Sequence, residues 1–299
     1  MGRLIAIANQ KGGVGKTTTA INLAVALASD KCRTLLLDLD PQGNATSGLT
    51  ARSELGKLKD SHSTVYEAIV GRIALADAVR KVRDHVFLVP SSRDLVGAEI
   101  ELATMEGRER RLKDILAPVR EDYAFILIDT PPSLGLLTLN AMVAADSIMV
   151  PMQCEYYALE GLSALLGTIT RVRKALNASL EIEGLVLTMF DARNRLSHEI
   201  ARDVNQHFPD KVFQSFIPRN VRLSESPSHG LSVLEYDPKS AGAEAYGQLA
   251  AEILSRRGAT AAESDVSRET SNASQGQATR KSWSLRALFA REGERGRKG

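Results

Sequence analysis

The chain has 299 residues, of which 43% are hydrophobic and 25% charged, the balance of an ordinary soluble globular protein. With 38 Lys+Arg against 36 Asp+Glu, the formal net charge of +2 excludes a histone-like polycation but leaves room for a local basic patch. Two cysteines, Cys32 and Cys154, exclude a disulfide scaffold; no run of about 18 apolar residues predicts a spanning helix, and the N-terminus has no signal-peptide layout, so the expected compartment is the cytoplasm.

Seven short apolar runs predict strands, at residues 4–8, 34–39, 86–89, 125–128, 147–150, 185–190 and 212–217. Most are continuous rather than alternating, as in strands covered on both faces. Helical periodicity fills several gaps. Residues 18–29 carry Ile21, Leu23, Ala24, Leu27 and Ala28; residues 156–176 carry Leu159, Leu162, Leu165, Leu166, Ile169 and Val172; residues 241–254 close the body. The alternation predicts an α/β fold: a doubly wound, mostly parallel sheet with helices on both faces. Such sheets bind ligands beyond the carboxyl ends of their strands. The places to look are therefore just after residues 8, 39, 128, 150, 190 and 217.

Composition divides the chain into a body, 1–257, a linker, 258–279, and a basic tail, 280–299. The body holds 30 basic and 31 acidic groups. Residues 258–279 are mostly Ala, Ser, Thr, Gly and Gln, with Arg268 against Glu263, Asp265 and Glu269 and with Val266 as the only large aliphatic, so a disordered linker is expected there. The tail has seven basic groups and two acidic ones around Trp283, Leu285, Leu288 and Phe289.

The first predicted strand runs into Asn9-Gln10-Lys11-Gly12-Gly13-Val14-Gly15-Lys16-Thr17-Thr18-Thr19 and then a helix. Glycines let successive backbone N–H groups turn toward one anion, and the helix N-terminus adds free donors. In this pattern Gly12, Gly13, Val14 and Gly15 cradle phosphates. Lys16 reaches the β- and γ-phosphates, and Thr17 offers a hydroxyl to Mg²⁺. Thr18 either caps the helix or touches a phosphate. Gln10 stands where the usual motif has glycine. Lys11 is not needed to cradle phosphates. It is either a solvated surface lysine or an extra cation near this phosphate site or near a partner's across a dimer.

Acidic residues end two later runs. In Leu37-Asp38-Leu39-Asp40-Pro41-Gln42-Gly43 two carboxylates sit two residues apart, suited to hold Mg²⁺ through water and to orient an attacking water, or to cap a turn. In Phe125-Ile126-Leu127-Ile128-Asp129-Thr130-Pro131-Pro132 buried aliphatics deliver one carboxylate fit for a hard cation's shell. The proline pair then breaks the strand and suits a γ-phosphate-sensing switch. Among five histidines none has metal-ligand spacing with the cysteines, and there is no Gly-x-Ser-x-Gly elbow.

The segment from Lys11 to Thr17 resembles the deviant Walker A motif of the ParA/MinD ATPases, a branch of the P-loop NTPases. The Asp-x-Asp-Pro-Gln-Gly segment and Pro151-Met152-Gln153-Cys154-Glu155 resemble the same family, over residues 3–257. The resemblance implies a slow, Mg²⁺-dependent ATP hydrolase in which Lys11 crosses the interface of an ATP-sandwich homodimer. It implies that Asp40 aligns the hydrolytic water, that Asp38 supports the metal shell with Thr17 and Asp129, and that Met189, Phe190, Pro218 and Asn220 hold adenine and ribose. Residues 189–193 and 217–227 resemble ParA/Soj segments. That likeness implies nonspecific double-stranded DNA binding by Arg193 and Arg222, with Arg219 and Lys239 on the same face, and a nucleoid-associated protein stimulated by a ParB-type centromere-binding partner. The window 191–222 alone reads equally as a solvated mixed face. With no domain before the first strand, the chain resembles the short chromosomal type of ParA rather than the longer plasmid type. MinD-like membrane binding and positioning of another cargo are the rival readings. At 100° per residue, however, Trp283 lies opposite Leu285, Leu288 and Phe289, and three apolar residues bury too little for firm anchoring. A docking or DNA-supporting role for the tail, and no role at all, stay open.

Overall fold

The computed structural model describes residues 2–59, 62–155 and 158–270. A compact unit runs to Ala251. Its centre is one sheet of seven strands: β1 (Arg3–Ile7), β2 (Thr34–Asp38), β3 (Arg80–Arg83), β4 (Val86–Val89), β5 (Phe125–Asp129), β6 (Ser147–Gln153) and β7 (Glu181–Thr188). Their order is β3-β4-β2-β5-β1-β6-β7, and every neighbouring pair is parallel except β3 with β4. β2 and β5 are buried along their whole length, which explains their unbroken apolar sequence.

Register fixes the site. Ile7 of β1 pairs with Asp129 of β5, and Asp129 pairs on its other side with Asp38 of β2. Three chain segments thus leave the sheet side by side at its carboxyl edge. The first enters helix α1 (Lys16–Ser29), whose residues are almost all buried. The second passes through Gly43, at φ 62°, into the short helix α2 (Asn44–Leu49). The left-handed backbone at Gly43 turns the chain at little steric cost only because no Cβ is present.

Three features depart from the sequence expectation. The run 212–217 does not form a strand. One parallel bridge joins it to β7, Leu185 with Val212, and a second, Phe190 with Pro218, lies just past the ends of both. The chain through β7 advances five residues between those points and the outer segment six, so the ladder cannot stay in register. The antiparallel hairpin strand β3, reading Arg-Lys-Val-Arg, has no apolar run to reveal it. The last helix is Ala241–Thr270 and takes in the first part of the stretch read as linker, where alanines favour helix and no proline intervenes. The rest of that linker and the tail 280–299 lie outside the described residues.

Phe213 packs over β7 at Gly184, where an added Cβ would overlap the Phe213 ring and the Lys211 carbonyl. Gly184→Ala is therefore expected to cost about 1–3 kcal/mol by overpacking. Chemical denaturation measures it, and an unchanged midpoint would show that the outer segment yields freely.

Candidate active site

The loop 9–15 joins β1 to α1. Gly13 and Gly15 are left-handed, at φ 74° and 85°, and Gly15 is the N-cap of α1. Asn9 staples the start of the loop: its Nδ2 donates to the Pro151 carbonyl at 2.8 Å, and its Oδ1 accepts from the Lys11 N–H at 3.0 Å. The ends of β6 and β7 brace the middle. Gln153 donates to the Gly13 carbonyl at 3.1 Å and Thr188 to the Val14 carbonyl at 2.9 Å. With carbonyls held outward, the loop's N–H groups and the α1 terminus form an anion nest. Because α1 begins at Lys16, Thr18 lies in the first helical turn and is not the cap; it lines the cavity described below.

The loop's two lysines face different ways. Lys16 is buried, 6% exposed, and its Nζ donates back to the Lys11 carbonyl at 3.1 Å. Burial pulls its pKa below the usual lysine value, against the attraction of Asp129 and Asp40. The Lys11 side chain lies on the accessible side, its Nζ 2.6 Å from Glu155 Oε2. It borders a second hollow with Gln10, Pro132 and Leu134.

The three acids differ in how they are satisfied. Asp38 Oδ2 accepts from the Thr46 N–H and the Thr46 hydroxyl, each at 2.7 Å, and Asp38 Oδ1 accepts from the Asp40 N–H at 3.2 Å. Burial still pushes its pKa up to about 6, with those hydrogen bonds opposing. Asp40 Oδ1 accepts from the Gln42 N–H at 2.9 Å, and its carbonyl accepts from the Ser91 hydroxyl at 2.7 Å. Asp129 is fully buried and neither carboxylate oxygen has a hydrogen-bond partner of good geometry. Its pKa is held well above the usual carboxylate range, first by burial and then by Asp38 and Asp40; the nearby Thr17 hydroxyl and Lys16 act the other way. Two orphaned oxygens beside a threonine hydroxyl are a donor set that fits a hard cation. Asp38, by contrast, is engaged by three donors and ties down the start of α2. Thr46 and Ser91, which complete this arrangement, carry no motif in the sequence.

A cavity of about 650 Å³ opens beside the loop. Met189, Pro218 and Asn220 line it together with Thr17, Thr18 and Tyr246. Met189 holds φ 50°, unusual for a residue with a long side chain. Asn220 caps the helix Val221–Glu225 by accepting from the Arg222 N–H at 2.8 Å. Arg219, expected on the DNA face, is exposed and also borders this cavity, between Pro218 and Asn220. Phe190 does not line it; its ring packs on Phe216 and His198. Arg193 is 92% exposed and paired with Asp191. Arg222 is half-exposed and paired with Glu225 and Asp237, while Lys239 is exposed.

The family model described as an AAA domain matches residues 2–182. The chain is 50% identical over 257 residues to the chromosome partitioning protein ParA of Myxococcus xanthus, covering 86% of this chain and 89% of that one. It is 51% identical over 254 residues to the sporulation initiation inhibitor protein Soj of Bacillus subtilis, covering 85% and 98%. Among solved structures it resembles cobyrinic acid a,c-diamide synthase from Mycobacterium smegmatis with bound ATP analog and magnesium, at TM-score 0.73 and 36% identity over 85% of this chain and 95% of that one.

Asp129→Asn removes a buried charge that no hydrogen bond of good geometry satisfies. Because the folded pKa is raised, the native parent binds its proton more tightly than the unfolded chain does. Parental stability therefore falls as pH rises above the unfolded value near 4, and the variant escapes that loss. In nucleotide-free protein the variant is expected to be more stable by about 1–3 kcal/mol at pH 8, with the gain shrinking toward pH 4. A variant that melts below the parent at pH 8 would contradict this account.

Proposed function

We propose a working cycle from one premise: the chain belongs to the ParA/Soj family of chromosome-partitioning ATPases. The observation that carries the chemistry is the meeting, at the phosphate loop, of buried Lys16 and a buried Asp129 whose oxygens lack a hydrogen bond of good geometry. ATP lays its phosphates on the N–H groups of residues 12–18, with its adenosine in the cavity bordered by Met189, Pro218 and Asn220. Thr17 and Asp129 would hold Mg²⁺, which when bound neutralises charge on the β- and γ-phosphates. The magnesium and ATP analog in the Mycobacterium smegmatis structure support this assignment.

Asp40 orients a water. Its oxygen attacks the γ-phosphorus as the bond to the β–γ bridging oxygen breaks, and ADP and phosphate leave. Lys16 meets the charge carried by the transferring group. Lys11 of each subunit reaches the other's phosphates in an ATP-sandwich dimer. Its position on the accessible side of the loop supports that role, and an exposed pair such as Lys11–Glu155 is exchanged at little cost.

The dimer holds double-stranded DNA without sequence preference through Arg193 and Arg222, with Lys239 alongside. Each arginine neutralises phosphate, and two subunits present twice as many of them. Hydrolysis is slow, is stimulated by a ParB-type partner and releases the DNA. The protein works in the cytoplasm on the nucleoid.

Lys11→Ala is expected to bind ATP but to stay monomeric in gel filtration with ATP and Mg²⁺, and to lose hydrolysis. Parental dimerisation and turnover in that variant would rule out the sandwich. Arg193→Ala and Arg222→Ala are expected to weaken DNA retention, each lowering the slope of log affinity against log salt by about 0.9 for every phosphate it no longer neutralises. DNA titrations across a potassium chloride series read this out, and parental slopes in both variants would remove the arginines from the interface.

A further inference from the structure

Both arginines assigned to DNA are already occupied by carboxylates of their own chain. Arg222 extends NH1 to Glu225 Oε2 at 2.8 Å and Nε to Asp237 Oδ2 at 3.1 Å. Arg193 faces both oxygens of Asp191, with Nε at 3.2 Å and NH2 at 3.3 Å. These are the same guanidinium donors that would meet a phosphate. We propose that Asp237, Glu225 and Asp191 are affinity-setting counter-charges of the DNA face: DNA must displace them, which keeps the grip of a single subunit weak. The inference rests on the DNA reading above and adds its regulation.

The Arg222 clasp is built from three segments rather than from one loose pair. Glu225 follows on the helix that carries Arg222, and it also accepts from the Tyr236 hydroxyl at 3.4 Å. Tyr236 is stacked in turn on His229, ring centroids 4.9 Å apart. Asp237 ends the helix Val233–Tyr236 and is held there by its backbone: its N–H donates to the Val233 carbonyl, and its carbonyl accepts from the Ser240 N–H and hydroxyl. Its carboxylate is therefore free to serve Arg222, and exchanging it for an amide leaves those backbone bonds in place. In Asp191 the Oδ1 also accepts from the Arg193 N–H at 3.0 Å, a bond an asparagine oxygen keeps. Exposed pairs are weak, so each resists displacement by a factor of about two to five in affinity. In a dimer every pair occurs twice, and the factors multiply.

The test uses the full chain with ATP and Mg²⁺ and a fluorescent random-sequence duplex, titrated across a salt series. Asp237→Asn is expected to bind about fivefold tighter, and Asp191→Asn/Asp237→Asn about 25-fold tighter, with the gain shrinking as salt rises. Glu181→Gln makes the same change in net charge at the far end of β7 and is expected to bind as the parent does. Parental affinity in Asp237→Asn and in the double variant overturns the proposal, as does equal tightening in Glu181→Gln, which would mark a nonspecific charge effect. If Arg222→Ala loses affinity while Asp237→Asn stays parental, the counter-charge alone fails. If Arg193→Ala and Arg222→Ala both bind as the parent does, the DNA reading fails and the proposal with it.

Discussion

A carboxylate buried without a hydrogen bond is the constraint around which this molecule is arranged. Asp129 sits in the middle of the sheet, between Ile7 and Asp38, at the point where its parallel strands end. Folding places it there because Phe125 to Ile128 are buried on every side and carry the next residue with them. An orphaned buried acid destabilises a fold, and Lys16 offsets only part of that, since it too is buried and its own charge is disfavoured. The chain therefore has the usual signature of a binding centre: local stability given up where a ligand supplies the missing interactions.

Asp38 shows how the same edge of the sheet can be put to a different use. Its carboxylate accepts three hydrogen bonds and so acts as a structural anchor for α2. The Thr46 hydroxyl that donates to Asp38 also accepts from the Ser91 N–H at 2.9 Å, and the Ser91 hydroxyl bonds the Asp40 carbonyl. A closed circuit of short polar contacts thus joins the ends of β2 and β4 to the first turn of α2. Asp40 lies inside that circuit with one carboxylate oxygen on the Gln42 N–H. A group that must orient a water is better held by backbone than by a mobile neighbour, because angular error there costs rate directly.

Much of this was legible in the sequence. Continuous apolar runs marked the buried strands, and the glycines, Lys16 and Thr17 marked the loop, because those signals are local and each rests on a single residue property. The contacts that decide roles were not local. Asp38 reads as support for a metal shell and Asp129 as a carboxylate for the cation itself, and only the structure shows that three donors engage the first while neither oxygen of the second has a hydrogen-bond partner of good geometry. Of the two readings of Thr18, helix cap or phosphate contact, the cap falls because the left-handed Gly15 starts the helix at Lys16, two residues earlier than periodicity suggests. Residues 212–217 read as a strand, and only the six-to-five mismatch against β7 shows why the ladder breaks. Arg219 and Arg222 lie three residues apart with the same side-chain chemistry, yet one lines the cavity and the other faces a carboxylate clasp.

Near-neutrality takes on a definite meaning against that clasp. A polycation holds DNA with a charge it cannot withdraw, so its release is slow and its binding is indifferent to oligomeric state. A chain with 38 basic and 36 acidic groups has no such field, and any grip must come from a few arginines placed together. When those arginines are each shared with a carboxylate, one subunit gains little on meeting a phosphate, because one ion pair is exchanged for another. Two joined subunits change the balance, because the second set of ion pairs forms without a second loss of translational freedom. In the proposed cycle, affinity then depends steeply on dimerisation, and dimerisation on the nucleotide. Coupling of this kind needs no long-range change of shape, only weak and counter-charged pairs that count when doubled.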